Sequence, residues 1–268
     1  MPSDSKSHSV PKVRTLAQFF RGAAWRMEML HDYPFDLLIW ITRGQGRGTL
    51  DGQRRGLGMH NLLWVPAGHA IALDLGKQSS GLAMTMPHSE GLGYPPELVH
   101  LRVRDVHAQS ELTGYLEAMA REDQVARPFH DESSRAYALL LSVWLRRQII
   151  SAPAEPRQTA GQRLVSAFSA LLARDYASGK TMADYARDLG VTPTHLSRVC
   201  RESCDMSAAE MLTQRTLHAA RDRIESTDLP FQTIAADLGF GSAAYFTRFV
   251  QNHTNTSPSA LRKRAARL

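Results

Sequence analysis

The sequence is poor in cysteine, in long apolar runs and, over most of its length, in charge bias, and each shortage removes a class of protein. Only two cysteines occur in 268 residues, Cys200 and Cys204. Two thiols cannot close a zinc site alone, and His195 and His218 lack the usual finger spacing, so buried free thiols are expected, with a redox switch as the alternative. No apolar run approaches the roughly 18 residues of a membrane-spanning helix. The longest, Ala136–Leu145, has Arg135 and Arg146 beside it. No signal-peptide pattern opens the chain, so a reducing, cytoplasmic setting with no membrane partner is expected. Charge is nearly balanced before Arg157, with 17 Lys and Arg against 16 Asp and Glu. From Arg157 onward there are 15 against 10. The net charge of +6 therefore sits almost wholly in the last part of the chain. Such a placement suits an anionic partner such as DNA, although a solvated basic face carries the same signature.

What is present divides the chain in two. The apolar fraction, 43%, is that of a soluble globular protein long enough for two ordinary domains. Residues 1–12 are polar and expected as a disordered arm. Between Phe35 and Val103, short apolar runs such as Phe35–Ile41, Asn61–Val65, Ala70–Leu73 and Leu82–Met84 alternate with Gly, Pro and Asp-Gly turns. Arg43–Gly48 and Asp51-Gly52 read as turns rather than a phosphate loop, because no helix follows the glycines. This pattern predicts a β-barrel or a sandwich. From Ser110 the period becomes helical, predicting two helices near 110–122 and 132–150 that cover the barrel or form a subunit interface. The first domain is thus placed at 13–150 and a proline-containing linker at 151–158. An all-α domain at 159–268 follows, with about seven helices near 161–176, 182–189, 193–203, 207–226, 231–238, 242–253 and 258–265. The fold class is α+β.

Within the helical domain one pattern occurs twice. Ala186–Arg198 and Ala235–Arg248 each carry an apolar-periodic helix, a Gly at a sharp turn, a Thr or Ser cap and a second helix bearing an Arg. This is the signature of a helix-turn-helix. An α-helix fits the DNA major groove, where every base pair shows a distinct donor and acceptor pattern. A reading helix needs one face locked into a core and the other available for contact. In the first unit Leu196 and Val199 are expected inward, leaving Thr194, His195, Ser197, Arg198 and Arg201. In the second, Tyr245, Phe246, Phe249 and Val250 are expected on the apolar side, leaving Ala243, Ala244, Thr247, Arg248 and Gln251. Arg198 and Arg248 occupy equivalent positions, each able to fork two hydrogen bonds to guanine or phosphate. The stretch Ser207–Ile224 reads as a long helix holding the two units at a fixed spacing.

Residues from Thr159 to Arg264 resemble the AraC/XylS family of bacterial transcription regulators. The resemblance rests chiefly on Ala220, Thr227, Pro230, Ile234-Ala235, Gly239-Phe240, Ser242, Phe246, Arg248, Ser257-Pro258 and Arg262. Cys200 and Val250 depart from it, standing where the family usually has Phe. Asp205 and Asn255 stand where a Gly usually ends the helix; both residue types tolerate the left-handed conformation. The first half resembles the family's cupin-type sensor barrel, through Gly44-x-Gly46 and Leu63–His69. Metal-binding cupins carry two His and a Glu in the first motif, whereas Gly44–Leu57 has neither residue. No metal, cofactor or catalytic residue is therefore expected.

The resemblance implies a regulator of double-stranded DNA controlled by a small-molecule effector, working as a homodimer and meeting RNA polymerase if it activates. Candidate effector residues are His31, Trp40, Arg43, Trp64 and His69, with Tyr33 and His60 as further aromatic or polar positions. A pocket rich in Trp and Leu would suit an apolar or aromatic effector, and one lined by Arg43 an acid. Two other functions stay open on the residues: a cupin-type metal enzyme with an appended helical domain, and a protein-binding adaptor built from helix-turn-helix units.

Overall fold

The computed structural model describes residues 10–20, 23–76, 78–88, 92–153 and 156–266. The first nine positions of the expected arm and two of the linker lie outside them. Within the arm's described part, Val10 is buried and Lys12 opens a strand. The N-terminal domain runs β1 (Lys12–Thr15), α1 (Leu16–Phe19), α2 (Trp25–Glu28), β2 (Phe35–Arg43), β3 (Gln45–Leu50), β4 (Gln53–Gly58), β5 (Asn61–Val65), β6 (Ile71–Leu75), β7 (Ser80–Pro87), β8 (Val99–Arg102), α3 (Val106–Val125) and α4 (His130–Ser151). The helical domain contributes α5 (Ala160–Asp175), α6 (Met182–Asp188), α7 (Pro193–Cys204), α8 (Ala208–Ser226), α9 (Phe231–Asp237), α10 (Ala243–Thr254) and α11 (Pro258–Ala265).

The strands do not close into the barrel that the cupin resemblance implies; they take the sandwich alternative. They form two antiparallel sheets, a five-stranded one ordered β1-β7-β2-β5-β8 and a three-stranded one ordered β4-β3-β6. The reason is visible in β2, whose register shifts between Ile41 and Arg43 before the chain crosses into the smaller sheet as β3. Successive β2 side chains point to opposite faces of the larger sheet. Leu37, Ile39 and Ile41 meet Leu50, Leu57, Ile71 and Leu73 of the smaller sheet. Leu38 and Trp40, with Leu62, Trp64, Met84 and Met86, pack instead against α3 and α4 through Leu112, Leu116, Leu141 and Trp144. A strand buried on both faces needs the continuous apolar text that Phe35–Ile41 shows, and the helix pair supplies the second cover.

Two joints tie this domain to the helical one. At the first, the β3–β4 turn rests on α5. Gln53 Nε2 donates to Ser166 Oγ at 3.3 Å, and Ser166 Oγ donates to the Asp51 carbonyl at 3.3 Å. A Cβ at Gly52 would stand 2.4 Å from Val165 Cγ1, so only glycine permits this approach. Arg54 also pairs with Asp205 at the end of α7. At the second joint, α2 and the His31-Asp32 segment grip α8. Arg215, 6% exposed, donates through Nε to Asp32 at 2.6 Å and stacks over Tyr176 at 3.6 Å. Arg26 pairs with Asp222 and lies 3.9 Å from Glu225. These contacts all land on α5, α7 and α8.

Two buried indoles in the N-terminal domain differ in one respect. Trp64 Nε1 donates to the Pro95 carbonyl at 2.8 Å, whereas Trp144 Nε1 has no acceptor among the described residues. Replacing either with Phe loses similar volume, but only Trp64→Phe also breaks a hydrogen bond and strands its acceptor. Trp64→Phe is expected to cost about 1 kcal/mol more than Trp144→Phe in urea unfolding. Equal costs would show that the two indole N–H groups are energetically alike.

Candidate nucleic-acid interface

Both units of the repeat are built by the same backbone device. In the first, the Gly190 amide donates to Arg187 O at 3.0 Å and the Val191 amide to Ala186 O at 2.9 Å. In the second, Gly239 donates to Ala236 O at 3.0 Å and Phe240 to Ala235 O at 2.9 Å. Each pair is a Schellman motif, which ends the first helix on a left-handed residue. Gly190 and Gly239 have φ of 67° and 75°. A side-chain cap then starts the second helix. Thr192 Oγ1 accepts from the His195 amide and Ser242 Oγ from the Tyr245 amide, both at 3.2 Å. Proline at N1 further fixes the start of α7. Asp205 and Asn255 end α7 and α10 in the left-handed conformation, at φ 60° and 53°, so the two departures from glycine keep the same turn.

The apolar faces of α7 and α10 are locked into separate cores. Leu196, Val199, Cys200 and Cys204 pack with Phe168, Leu172, Tyr185 and Met211, and burial raises both thiols, Cys200 to about 12. Phe246 and Val250 pack with Ala220, Ile224, Ile234 and Leu261. The joining helix α8 enters both cores, Met211 in the first and Ala219, Ala220 and Ile224 in the second. Nineteen residues at about 1.5 Å each make it roughly 28 Å long. Ser207 and Glu210 form a capping box that fixes its start.

The opposite faces are open. Thr194, His195, Arg198 and Arg201 are exposed on α7, with Ser197 half-buried. Ala244, Arg248 and Gln251 are exposed on α10, with Ala243 and Thr247 half-buried. Arg198 donates to Glu202 Oε1 at 2.6 Å and lies 3.2 Å from His195 Nδ1. Arg248 makes no ion pair among the described residues. One expectation for α10 fails. Tyr245, assigned to the apolar side, is 55% exposed, its ring leaning on Phe240 at 5.6 Å. Asn252 is also exposed, so the open stripe of α10 runs through Ala244, Tyr245, Arg248, Gln251 and Asn252. Tyr245 and Asn252 lie three and four residues either side of Arg248, the helical spacing that identifies shared faces.

The five candidate effector residues do not come together. Trp40 Nε1 donates to Thr113 at 3.2 Å and Trp64 to Pro95, both beneath the helix pair. His31 stacks on His218 at the second joint. His69 Nδ1 meets Asp51 at 2.7 Å, and that hydrogen bond holds its pKa above the ordinary value. Arg43 is exposed at the end of β2. Tyr33 packs edge-on against His31, while His60 meets Gln109 at 3.1 Å. A cavity of about 490 Å3 opens between the domains beside Glu28, Arg47, Thr49, Arg54, Asp205 and Gln214, and none of the five lines it. Among the described residues no three His, Cys, Asp or Glu side chains gather into a metal-ligand set. None of the helices there is long and apolar enough to cross a membrane.

Residues 185–264 match the helix-turn-helix domain family, from the last turn of α6 to the end of α11. The match takes in both recognition helices, α7 and α10. Two curated relatives are regulators by name. The chain is 29% identical over 136 residues to the HTH-type transcriptional regulator GlxA of Rhizobium meliloti, covering 48% of this chain and 42% of that one. It is 23% identical over 109 residues to the Msm operon regulatory protein of Streptococcus mutans, covering 41% and 39%. It thus spans about two fifths of each relative's length. Among solved structures, ToxT of Vibrio cholerae with an unsaturated fatty acid bound aligns at 12% identity over 93% of both chains, with a TM-score of 0.41. The C-terminal domain of the response regulator AraT from Geobacillus stearothermophilus aligns at 25% identity over 40% of this chain and 88% of that one, with a TM-score of 0.36.

The paired turns differ in crowding, which gives a test of the geometry. Nothing lies within 4 Å of a Cβ placed on Gly190, whereas one on Gly239 would stand 2.6 Å from Ala177 O and 2.8 Å from Gly179 N. Gly190→Ala is expected to cost about 1–2 kcal/mol, the left-handed penalty alone. Gly239→Ala should cost more, because backbone must also move. Thermal unfolding of the two variants checks the order, and a Gly239→Ala protein as stable as Gly190→Ala would refute the close approach.

Proposed function

We propose that this chain is a sequence-specific DNA-binding transcription regulator that reads two neighbouring major-groove segments with α7 and α10. The observation that carries this reading is the pair of Schellman-turn units whose second helices keep polar, exposed faces while sharing one rigid helix. Thr194, His195, Ser197, Arg198 and Arg201 serve the first segment; Ala243, Ala244, Thr247, Arg248 and Gln251 serve the second. Tyr245 and Asn252 join them on the open stripe. The basic surplus after Arg157 supplies salt-dependent attraction to phosphates. The chain performs no catalysis in this reading. It works in the cytoplasm, as a homodimer, with RNA polymerase as a partner where it activates.

Control enters through the N-terminal domain, where a small-molecule effector binds. That domain holds α5, α7 and α8, the elements that set the position of the first reading helix and of the joint. Leu139, Leu140 and Ile150 on α4 are apolar and exposed, which supports a second copy meeting this chain there. The metal-enzyme alternative finds no ligand set among the described residues, and His60 and His69 are each engaged by other side chains.

Genome-wide mapping of bound sites would supply the operator, after which mobility shifts at several salt concentrations test the interface. Arg248→Ala is expected to weaken specific binding by about 1–3 kcal/mol. Unchanged operator affinity removes Arg248 from the reading set. Absence of any salt-dependent DNA affinity would favour the adaptor reading instead.

A further inference from the structure

We propose that the stacked rings of His31 and His218 form a proton-operated latch between the domains, so that acidification drives the N-terminal domain off α8. The two imidazoles lie face to face, 4.5 Å between centroids and 9° between planes. His31 is 1% exposed and His218 9%. His31 Nδ1 lies 2.7 Å from the Met29 carbonyl and therefore carries the ring's proton as a donor. Its Nε2 is buried with no partner among the described residues, so a second proton there would find no acceptor. His218 Nε2 lies 3.3 Å from the Arg26 carbonyl.

The surroundings reinforce this. Trp25 of α2 meets the edge of His218 at 5.3 Å, and Tyr33 meets that of His31 at 4.7 Å. The charged groups of the joint are Arg26 from α2, Arg215 and Arg221 from α8, and three carboxylates, Asp32, Asp222 and Glu225. Each carboxylate is already taken: Asp32 by Arg215, Asp222 by Arg26, Glu225 by Arg221 at 3.1 Å. An imidazolium here would face guanidinium groups and the partner ring, which a second proton would make like-charged, with no free anion among the described residues. Burial accordingly lowers His31 from 6.5 to about 4, helped by Arg215. Burial lowers His218 as well, followed by the neighbouring His31 and by Arg215.

The sign follows from proton linkage. Both rings have a docked pKa below the value they regain when the domains part and water reaches them. Below pH 6.5 the parted state binds more protons, so docking weakens as pH falls. Each ring contributes about a tenfold loss per pH unit until its own docked value is reached. At pH 5.5 the two together are expected to weaken docking on the order of a hundredfold. Because α8 joins the two reading units, release would free the joint from the sensor domain. The latch itself is independent of whether those units read DNA.

Small-angle scattering of the full chain from pH 7.5 to 5.0, with near-ultraviolet circular dichroism alongside, tests this. The wild type should expand below about pH 6.5 while its aromatic signal shows both domains still packed. His31→Phe combined with His218→Phe keeps two stackable rings without titration and should stay compact through the range. An identical pH response in wild type and double variant, no expansion by pH 5.0, or expansion only together with loss of tertiary packing would overturn the latch. Should the double variant not fold, His218→Gln removes one titrating ring and should move the opening to lower pH. An unmoved midpoint there also overturns it.

Discussion

The structure depends on one helix being claimed by three sets of neighbours at once. The first half of α8 completes the core of α5, α6 and α7, its second half completes that of α9, α10 and α11, and its remaining side receives α2 and His31. A helix in that position cannot turn about its axis without opening at least one core. The angle between the two recognition helices is therefore held by burial rather than by any contact between them. Polar residues within α8 follow from the third neighbour. Arg215 and His218 are buried because the N-terminal domain, and not solvent, lies over them. A buried guanidinium would be costly unpaired, and Arg215 is instead satisfied by Asp32 and the face of Tyr176.

The helical domain was legible in the sequence because its signals are local. Caps, Schellman glycines and 3.6-residue periodicity involve neighbours a few positions apart, so all seven helices α5–α11 appear near their expected places. Tyr245 was misassigned for a reason equally local: an aromatic next to Phe246 reads as core, yet the adjacent residue on a helix turns about 100° away. The N-terminal domain was less legible. Its strand text was clear, but closure into a barrel or division into two sheets depends on partners distant in sequence. Continuous apolar text in β2 means only that both faces are covered, not by what. The α2 helix, four residues with few periodic positions, gave no signal at all, though it carries Trp25 and Arg26 of the second joint.

The scattered effector candidates teach the same lesson. From sequence alone, Trp40 and Trp64 suit a pocket for an apolar or aromatic effector, and an indole also carries an N–H that needs an acceptor when buried. In the fold each tip is spoken for, by Thr113 and by Pro95, and both rings serve as the floor on which α3 and α4 sit. His31 was singled out as a polar residue in the strand domain, and it faces out of that domain toward α8. Composition identified a residue of consequence there, while its partner, His218, lay nearly two hundred residues away and read as part of an ordinary amphipathic helix.

In the proposed function, the two reading helices also differ in what DNA must displace. Arg198 is held by Glu202 at 2.6 Å, with both side chains more than half exposed, 59% and 58%. An exposed pair of this kind is worth about 0–1 kcal/mol. A bidentate contact to guanine is worth about 1–3 kcal/mol. The exchange is thus favourable at a matched base, whereas at an unmatched one the lost ion pair goes uncompensated, which weakens the first unit there. Glu202 sharpens that effect, since its carboxylate, once released, faces the phosphate field with like charge. Arg248 has no such partner among the described residues and can meet a phosphate or a base at no cost in ion pairing. In the proposed regulator the second unit therefore supplies the firmer hold, while the first supplies discrimination, and α8 makes the two events a single one.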